Sequence, residues 1–136
     1  MIFFHTELQS SIAADGNYVM LEMLKAYDKN QSMELLSAIK QLYAWLETAS
    51  QYIDPEVILI NGLQIAKRER ELTFAEKQQL ATVAMKSGKI EYKIGAFILL
   101  NEQNEAEQLL KEMPAEKREM FMSFPIFYFF KKRYLF

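Results

Sequence analysis

The sequence contains few of the side chains that usually carry out chemistry in proteins. It has one histidine, His5, and no cysteine, which excludes a thiolate metal site, a cysteine nucleophile and a disulfide framework. A zinc site would then have to consist almost entirely of carboxylates, which suit zinc poorly. The paired Glu-x-x-His motifs of a di-iron helical bundle do not occur either. We therefore predict that the chain holds no metal and no other cofactor.

Nucleophilic catalysis by a serine requires a general base that a third group holds in place. Only His5 could serve as that base, and no serine lies in a G-x-S-x-G motif. The four glycines, at positions 16, 62, 88 and 95, lie too far apart to form a phosphate-binding loop. We therefore predict that the protein is not an enzyme. An enzyme that uses carboxylates alone is the remaining alternative, and it would need a pocket that holds two or more acids.

Two charged clusters invite a functional interpretation. The acidic one consists of Glu102, Glu105, Glu107 and Glu112, and the mixed one is the segment "KRER" at residues 67–70. The helix dipole favours acidic residues near a helix start and basic residues near a helix end. We therefore interpret both clusters as helix ends rather than as binding sites for cations or phosphates. The net charge of −2 also argues against a nucleic-acid partner.

The charged residues are unevenly divided along the chain. Residues 1–66 hold three basic and eight acidic side chains, whereas residues 67–136 hold thirteen basic and ten acidic ones. This contrast between the two halves could help two copies of the chain to associate.

The C-terminal segment "FPIFYFFKKRYLF" (residues 124–136) combines aromatic and basic side chains. Burying one phenylalanine contributes about 1.5–3 kcal/mol, whereas each basic residue near an anionic membrane contributes about 1 kcal/mol. We therefore interpret the segment first as a cap on the core or a docking segment, second as a homodimer contact, and third as a membrane anchor. The candidate binding residues are Phe127, Phe129, Phe130, Lys131, Lys132 and Arg133.

Apolar side chains recur at three- and four-residue spacing along most of the chain, which predicts amphipathic helices. We predict helices at residues 17–28, 32–52, from 54, 73–88, 89–100, 105–112 and from 114. In the later helices the predicted inward-facing residues include Leu80, Val83, Ala84, Ile94, Phe97, Ile98, Leu109, Leu110, Met120, Phe121 and Phe124. No β-hairpin signal flanked by alternating residues occurs, so we predict an all-α fold with about seven helices.

Several helix ends have recognisable local signals. Ser32 is a plausible N-cap, and Asp54-Pro55-Glu56 combines a cap, a first-turn proline and an acid at the positive end of the dipole. Thr73 and Glu76 fit a capping box. Gly88 is expected to end its helix in a left-handed conformation.

Short turns between the later helices force neighbouring helices to lie antiparallel. We therefore predict stacked antiparallel helical hairpins in a single domain (residues 1–136), with residues 125–136 as an extended aromatic tail. The segments "MIFFH" at the start and "IFYFF" near the end could each be short extended pieces that pair with each other.

Two apolar helices carry a glycine at the same relative place. Gly62 in "LINGLQIA" and Gly95 in "YKIGAFIL" are 33 residues apart, and a small residue there allows a partner helix to approach closely. The segment "NEAEQLLKEMP" then resembles the second helix of a tetratricopeptide (TPR) repeat, with Ala106 as the small contact residue and Leu110 as the large residue after it. The resemblance covers residues 56–113. It implies a superhelical array whose concave groove binds peptides or protein segments, without catalytic residues.

Together these patterns predict a cytoplasmic, non-catalytic protein that binds a peptide segment or another copy of itself. No stretch reaches the roughly 18 apolar residues needed to cross a bilayer, and the first residues do not resemble a signal peptide. Two alternatives stay open: a peripheral membrane-surface protein that the aromatic–basic tail anchors, and the C-terminal interaction module of a longer effector protein.

Overall fold

The computed structural model describes the backbone of residues 2–130 and the side chains of residues 10–49 and 51–130. Within these residues it contains seven α-helices, two short 3₁₀ helices and no strand, which confirms the predicted all-α class of stacked helical hairpins. The α-helices are α1 (Ile2–Asn30), α2 (Met33–Thr48), α3 (Pro55–Glu69), α4 (Phe74–Lys86), α5 (Ile90–Leu99), α6 (Gln103–Glu112) and α7 (Ala115–Phe121).

The chain divides into two compact units, Met1–Leu59 and Ile60–Phe136. In the first unit α1 packs against α2, and the 3₁₀ helix Ser50–Tyr52 packs against both. In the second unit α5 is central, because α4, α6 and the second 3₁₀ helix (Pro125–Phe129, the tail helix) all pack on it. Two units can belong to one folding domain, so the single domain expected for residues 1–136 stays a prediction.

The core of the first unit consists of apolar side chains spaced at about one helical turn. α1 contributes Ala13, Met20, Leu24 and Tyr27, and α2 contributes Leu36, Ile39 and Leu46. Gly16 of α1 lies against α2, and a β-carbon added there would lie 3.1 Å from Trp45 Cζ3 and 3.3 Å from Leu46 Cδ2. The glycine therefore creates the space that the indole ring occupies.

Tyr43 attaches the first turns of α3 to α2 within the same unit. Its hydroxyl donates a hydrogen bond of 2.9 Å to the carbonyl oxygen of Ile58. Burial, with a further effect of the Glu47 carboxylate, raises the pKa of Tyr43 to about 12, so the donor stays protonated at neutral pH.

The core of the second unit confirms much of the predicted pattern. Leu80, Val83 and Ala84 of α4 are buried, as are Ala106 and Leu110 of α6. α5 buries side chains on several sides, because helices pack around it; its buried residues are Ile94, Gly95, Ala96, Ile98 and Leu99.

The predicted helix starts at three sites are confirmed. Ser32 accepts a hydrogen bond from the Leu35 backbone N–H at 3.3 Å. The carboxylate of Asp54 accepts one from the Glu56 N–H at 2.9 Å. Thr73 and Glu76 form the reciprocal capping box. Each signal depends only on residues within one turn, which explains why the sequence was sufficient.

Three predicted helix boundaries are wrong. α1 begins at Ile2 rather than at residue 17, because Gly16 is tolerated inside a helix at a cost of about 1 kcal/mol. α2 ends at Thr48, and the chain continues as a 3₁₀ helix up to Tyr52. Gly88 does not end α4 in a left-handed conformation, since no described glycine has a positive φ. Ser87 ends this helix instead, with an extended backbone.

The pairing of the two chain ends as strands is also wrong. Residues 2–5 belong to α1, and residues 125–129 form the tail helix. Pro125 does not end α7, which stops at Phe121; the proline begins the tail helix. Of the face predicted for α7, Phe121 is buried, whereas Met120 and Phe124 are exposed. Among the described helices, none combines the length and the apolar character needed to cross a membrane.

Candidate interaction surfaces

An open groove lies between α4, α5 and α6 in the second unit. Its volume is about 480 Å³, within the range of roughly 300–1,000 Å³ typical of ligand sites. The lining residues are Ala84, Met85, Lys93, Phe97, Asn104, Glu105, Gln108 and Leu109. The apolar members come from all three helices, so a ligand in this groove would contact each of them.

The floor of the groove is apolar and only partly covered. Phe97 and Leu109 are half-buried, whereas their sequence neighbours Ile98 and Leu110 are fully buried in the core. Both had been predicted to face the core. Because α4 and α6 both pack on α5, these two side chains lie between the outer helices, where no described side chain covers them completely.

The lining of the groove includes side chains of both charges. Lys93 lies on α5, and Glu105 lies on α6 together with the amide side chains of Asn104 and Gln108. Within the described residues, neither Lys93 nor Glu105 has a hydrogen-bond or ion-pair partner for its side chain. A ligand can therefore use both charges without first breaking an existing ion pair.

Aromatic rings near the C-terminus form a continuous cluster. Phe121 contacts Phe124 and Phe127 edge-to-face, with ring centroids 5.6 and 5.0 Å apart. Phe127 contacts Phe130 at 5.5 Å, and Tyr128 contacts Phe129 at 5.3 Å. Such pairs contribute about 0.5–1.5 kcal/mol beyond the burial of their area. The cluster therefore stabilises the C-terminal region of the protein itself.

Arg68 connects this aromatic cluster to α3. Its guanidinium donates hydrogen bonds to the carbonyl oxygens of Gln64 at 2.8 Å and Pro125 at 2.9 Å. The same group lies 5.0 Å from the ring centroid of Tyr128 and 4.8 Å from that of Phe129. Arginine suits this position because its flat, delocalised cation can bond at its edge and stack on its face.

Lys67, the neighbour of Arg68, holds the end of α5. Its ammonium group donates to the Leu99 carbonyl oxygen at 2.6 Å and to Asn101 Oδ1 at 2.8 Å. Leu99 is the last residue of α5, so its carbonyl has no partner within the helix. Asn101 follows with a φ of 62°, a left-handed conformation that asparagine tolerates after a helix end.

A polar stripe on α3 supports the arginine. Gln64 donates to Asn61 Oδ1 at 3.0 Å, and Arg68 donates to Gln64 Oε1 at 3.4 Å. Asn61 and Gln64 are buried, and positions 61, 64 and 68 share one helical face. This network fixes the direction of the guanidinium and with it the place of the tail helix.

A second, polar cleft of about 510 Å³ lies beside this region and includes Lys67, Arg68, Arg70 and Lys77. Arg70 forms a two-bond ion pair with Glu76, both bonds at 2.9 Å. Lys67 is held as described above, and burial together with the nearby Lys77 lowers its pKa. Lys67, Arg68 and Arg70 already form contacts within the protein. We therefore retain the interpretation of "KRER" as a helix end.

The candidate tail residues fall into two groups. Phe130 is buried, and Phe127 and Phe129 are half-buried within the aromatic cluster. Lys131, Lys132 and Arg133 lie outside the described residues. Tail residues up to Phe130 thus contact the protein's own core, where Ile126 lies beside Gly95.

The predicted close-packing residues occupy buried or half-buried positions. Gly95, Ala106 and Leu110 are buried, and Gly62 is half-buried. A β-carbon added at Gly95 would lie 3.7 Å from Ile60 Cγ2 and 3.9 Å from Ile126 Cγ1. These are ordinary van der Waals distances, so the space beside Gly95 can hold a methyl group.

The described residues contain no group of three or more His, Asp and Glu side chains that could hold a metal ion. The acid cluster is divided by the fold: Glu107 is buried and accepts a hydrogen bond from Gln103 at 3.0 Å, whereas Glu105 lines the groove. His5 belongs to α1. No family model matches the chain, and no curated protein or solved structure is significantly similar to it.

Sequence reasoning missed Arg68 as the residue that holds the tail, and it missed the groove. The Arg68 contact joins residues 57 positions apart, for which the sequence carries no local signal. For the groove a weak signal existed, since α5 and α6 each have two successive large apolar residues, Phe97–Ile98 and Leu109–Leu110. In each pair the first residue is half-buried and the second is buried.

Proposed function

We propose that the protein is a non-catalytic helical module that binds a segment of a partner protein in the groove between α4, α5 and α6. The observation that carries this proposal is an accessible apolar floor, formed by Phe97 and Leu109, in a groove also lined by Lys93 and Glu105, two opposite charges without a partner among the described side chains. Buried apolar contact would supply most of the affinity, and the charges would select the partner.

The groove has the physical properties that such binding requires. Burying one leucine or phenylalanine of a partner contributes about 1.5–3 kcal/mol, and the volume suffices for several side chains. Met85, which is 72% exposed at the edge of the groove, is a flexible thioether that adapts to different contact shapes. These properties also agree with the resemblance of residues 56–113 to stacked helical repeats, which stays a prediction.

The packing of the tail supports protein binding over attachment to a membrane. The phenylalanines that a membrane anchor would insert already contact one another, and Arg68 already stacks on Tyr128 and Phe129. A membrane anchor would therefore depend on Lys131, Lys132 and Arg133. Self-association and a role as a module of a longer effector are further possible uses of the same groove.

Site-specific photocrosslinking in native extract tests the proposal. Leu109→p-benzoylphenylalanine places the reactive group in the groove, and Tyr128→p-benzoylphenylalanine places it on the exposed side of the tail helix. We expect the variant at 109 to form a discrete crosslinked band that mass spectrometry assigns to one segment of a partner. The variant at 128 is the matched control and should give no such band.

Two results would count against the proposal. Crosslinks confined to position 128 would indicate that the tail helix, and not the groove, binds the partner. Crosslinking at 109 that persists unchanged in a Met85→Glu background would show that the captured protein does not occupy the groove. Light scattering of the purified chain distinguishes a second copy from a different partner.

A further inference from the structure

The apolar surface of the groove continues along the outer side of α4. Phe74 is 78% exposed and Met85 is 72% exposed, and their separation of eleven positions corresponds to about three helical turns. Residues 74, 78, 81 and 85 therefore form one row, about 16 Å long at 1.5 Å per residue. Met85 belongs both to this row and to the groove.

The spacing of this row matches an α-helix laid beside α4. A partner helix repeats its own apolar residues at the same three- and four-residue intervals, so its ridge can follow the row over its whole length. Ala81 in the middle is small and exposed, which allows the two helices to approach closely.

An extended segment fits this surface less well. Extended peptides commonly bind by adding a strand to the edge of a sheet, and the described residues contain no strand. The row and the groove together offer three side-chain amides, those of Gln78, Asn104 and Gln108, so most backbone groups of an extended segment would stay unpaired. A helix satisfies its own backbone groups internally.

The charged side chains near the groove would favour one direction of the partner helix. Lys86 follows Met85 at the end of α4, and Lys93 lies on α5. Glu105 lies across the groove on α6. Within the described residues none of these three side chains has an ion-pair partner. The groove and its surroundings therefore offer both basic and acidic side chains without internal partners.

From this arrangement, and on the basis of the proposed function, we infer that the partner segment is an amphipathic helix that carries acidic and basic residues beside its apolar face. An acidic residue lies towards Lys93, and a basic residue lies towards Glu105. The apolar residues fill the groove and continue towards Phe74.

A displayed library of 18-residue peptides tests this inference on the full chain. Each peptide carries leucines at positions 4, 8, 11 and 15, and the flanking positions are varied among glutamate, lysine and glutamine. We expect enriched peptides to carry glutamate and lysine at separate, fixed positions beside the leucines. Circular dichroism and NMR of the enriched peptides should show that they are helical when bound.

The double charge reversal Lys93→Glu with Glu105→Lys is the matched variant. Neither side chain has a hydrogen-bond or ion-pair partner within the described residues, so the variant should fold. Its melting temperature should fall slightly, because Glu105 lies in the first turn of α6, where the helix dipole favours an acid. It should bind the enriched peptides at least tenfold more weakly and should itself enrich peptides with the two charges exchanged.

The remaining outcomes separate the inference from the proposed function. Peptides that bind the groove without any charge preference, or in an extended form, would overturn the inference and leave the groove as the binding site. Binding that Met85→Glu does not weaken would overturn both. Selection of peptides that match α4 itself would indicate a second copy of the chain as the partner and would contradict the inference of a separate partner.

Discussion

Two apolar surfaces of the second unit lie on different sides of α5. They differ in how completely other parts of the protein cover them. On one side the tail helix covers α5, its aromatic rings contact one another, and Arg68 holds its backbone at Pro125. On the other side Phe97 and Leu109 stay half-exposed, and the adjacent charges have no partner among the described residues.

The difference shows that aromatic content alone is a poor guide to a docking surface. The tail has the most aromatic sequence in the chain, yet its described side chains stabilise the fold. The groove is lined by a single phenylalanine, Phe97, which stays half-exposed. A surface is available for binding when its apolar groups lack internal partners, and that property depends on packing rather than on composition.

The largest expected effect concerns the aromatic side. Phe121→Ala removes the ring that contacts both Phe124 and Phe127, at a position that is 7% exposed. Replacing a buried phenylalanine by alanine costs about 3–5 kcal/mol. We expect a loss near the lower end of this range in urea unfolding, because the neighbouring rings can partly close the gap. Phe124→Ala, at an exposed ring, should cost less than half as much.

The next effect concerns the contact between α3 and the tail helix. Arg68→Ala removes the hydrogen bond to Pro125 and both ring contacts, and we expect a loss of about 2 kcal/mol. Arg68→Lys should recover only part of this loss, because an ammonium group cannot bond and stack at the same time. Equal stability of the alanine variant and the original chain would contradict the assigned role.

The two helical glycines should respond differently to alanine. Gly95→Ala places a methyl group at ordinary contact distances from Ile60 and Ile126, and the gain in helix propensity should stabilise the protein by about 0.5–1 kcal/mol. Gly16→Ala brings the same group within 3.1 Å of Trp45 and 3.3 Å of Leu46, so this gain should be absent or reversed.

Thermal unfolding of the two single variants measures this contrast. Trp45 fluorescence should change in the variant at position 16 and should stay the same in the variant at position 95. A destabilised Gly95→Ala protein would show that the packing at this helix crossing is tighter than these distances indicate.

The smallest effect is a pH dependence at the start of α4. The Arg70 guanidinium and the Thr73 N–H lower the pKa of Glu76 from 4.5 to about 2. A lowered pKa in the folded state stabilises the protein above pH 4.5, and this contribution is lost as the pH falls from 4.5 towards 2. Because the Arg70 side chain is solvent-exposed, this contribution should be small. The Glu76→Gln variant lacks this titrating carboxylate. Its melting temperature should therefore fall less between pH 4.5 and pH 2 than that of the original chain.

Local elements of this fold could be predicted from the sequence, whereas the groove could not. The caps at Ser32, Asp54 and Thr73 depend on neighbours within three residues. The choice between Leu109 and Leu110 as the core residue depends on where α4 and α5 lie, which no local pattern encodes. A proline usually ends a helix, but in this fold Pro125 is the first residue of the tail helix.

The most direct test of the account is a matched pair of substitutions at exposed methionines on the two sides. Met85 of the groove is 72% exposed and Met120 of α7 is 70% exposed, so Met85→Glu and Met120→Glu should each change the free energy of unfolding by less than about 0.5 kcal/mol. Binding of the partner captured at position 109 should weaken at least tenfold for Met85→Glu and should not change for Met120→Glu. The reverse pattern would contradict the assignment of the groove as the docking surface.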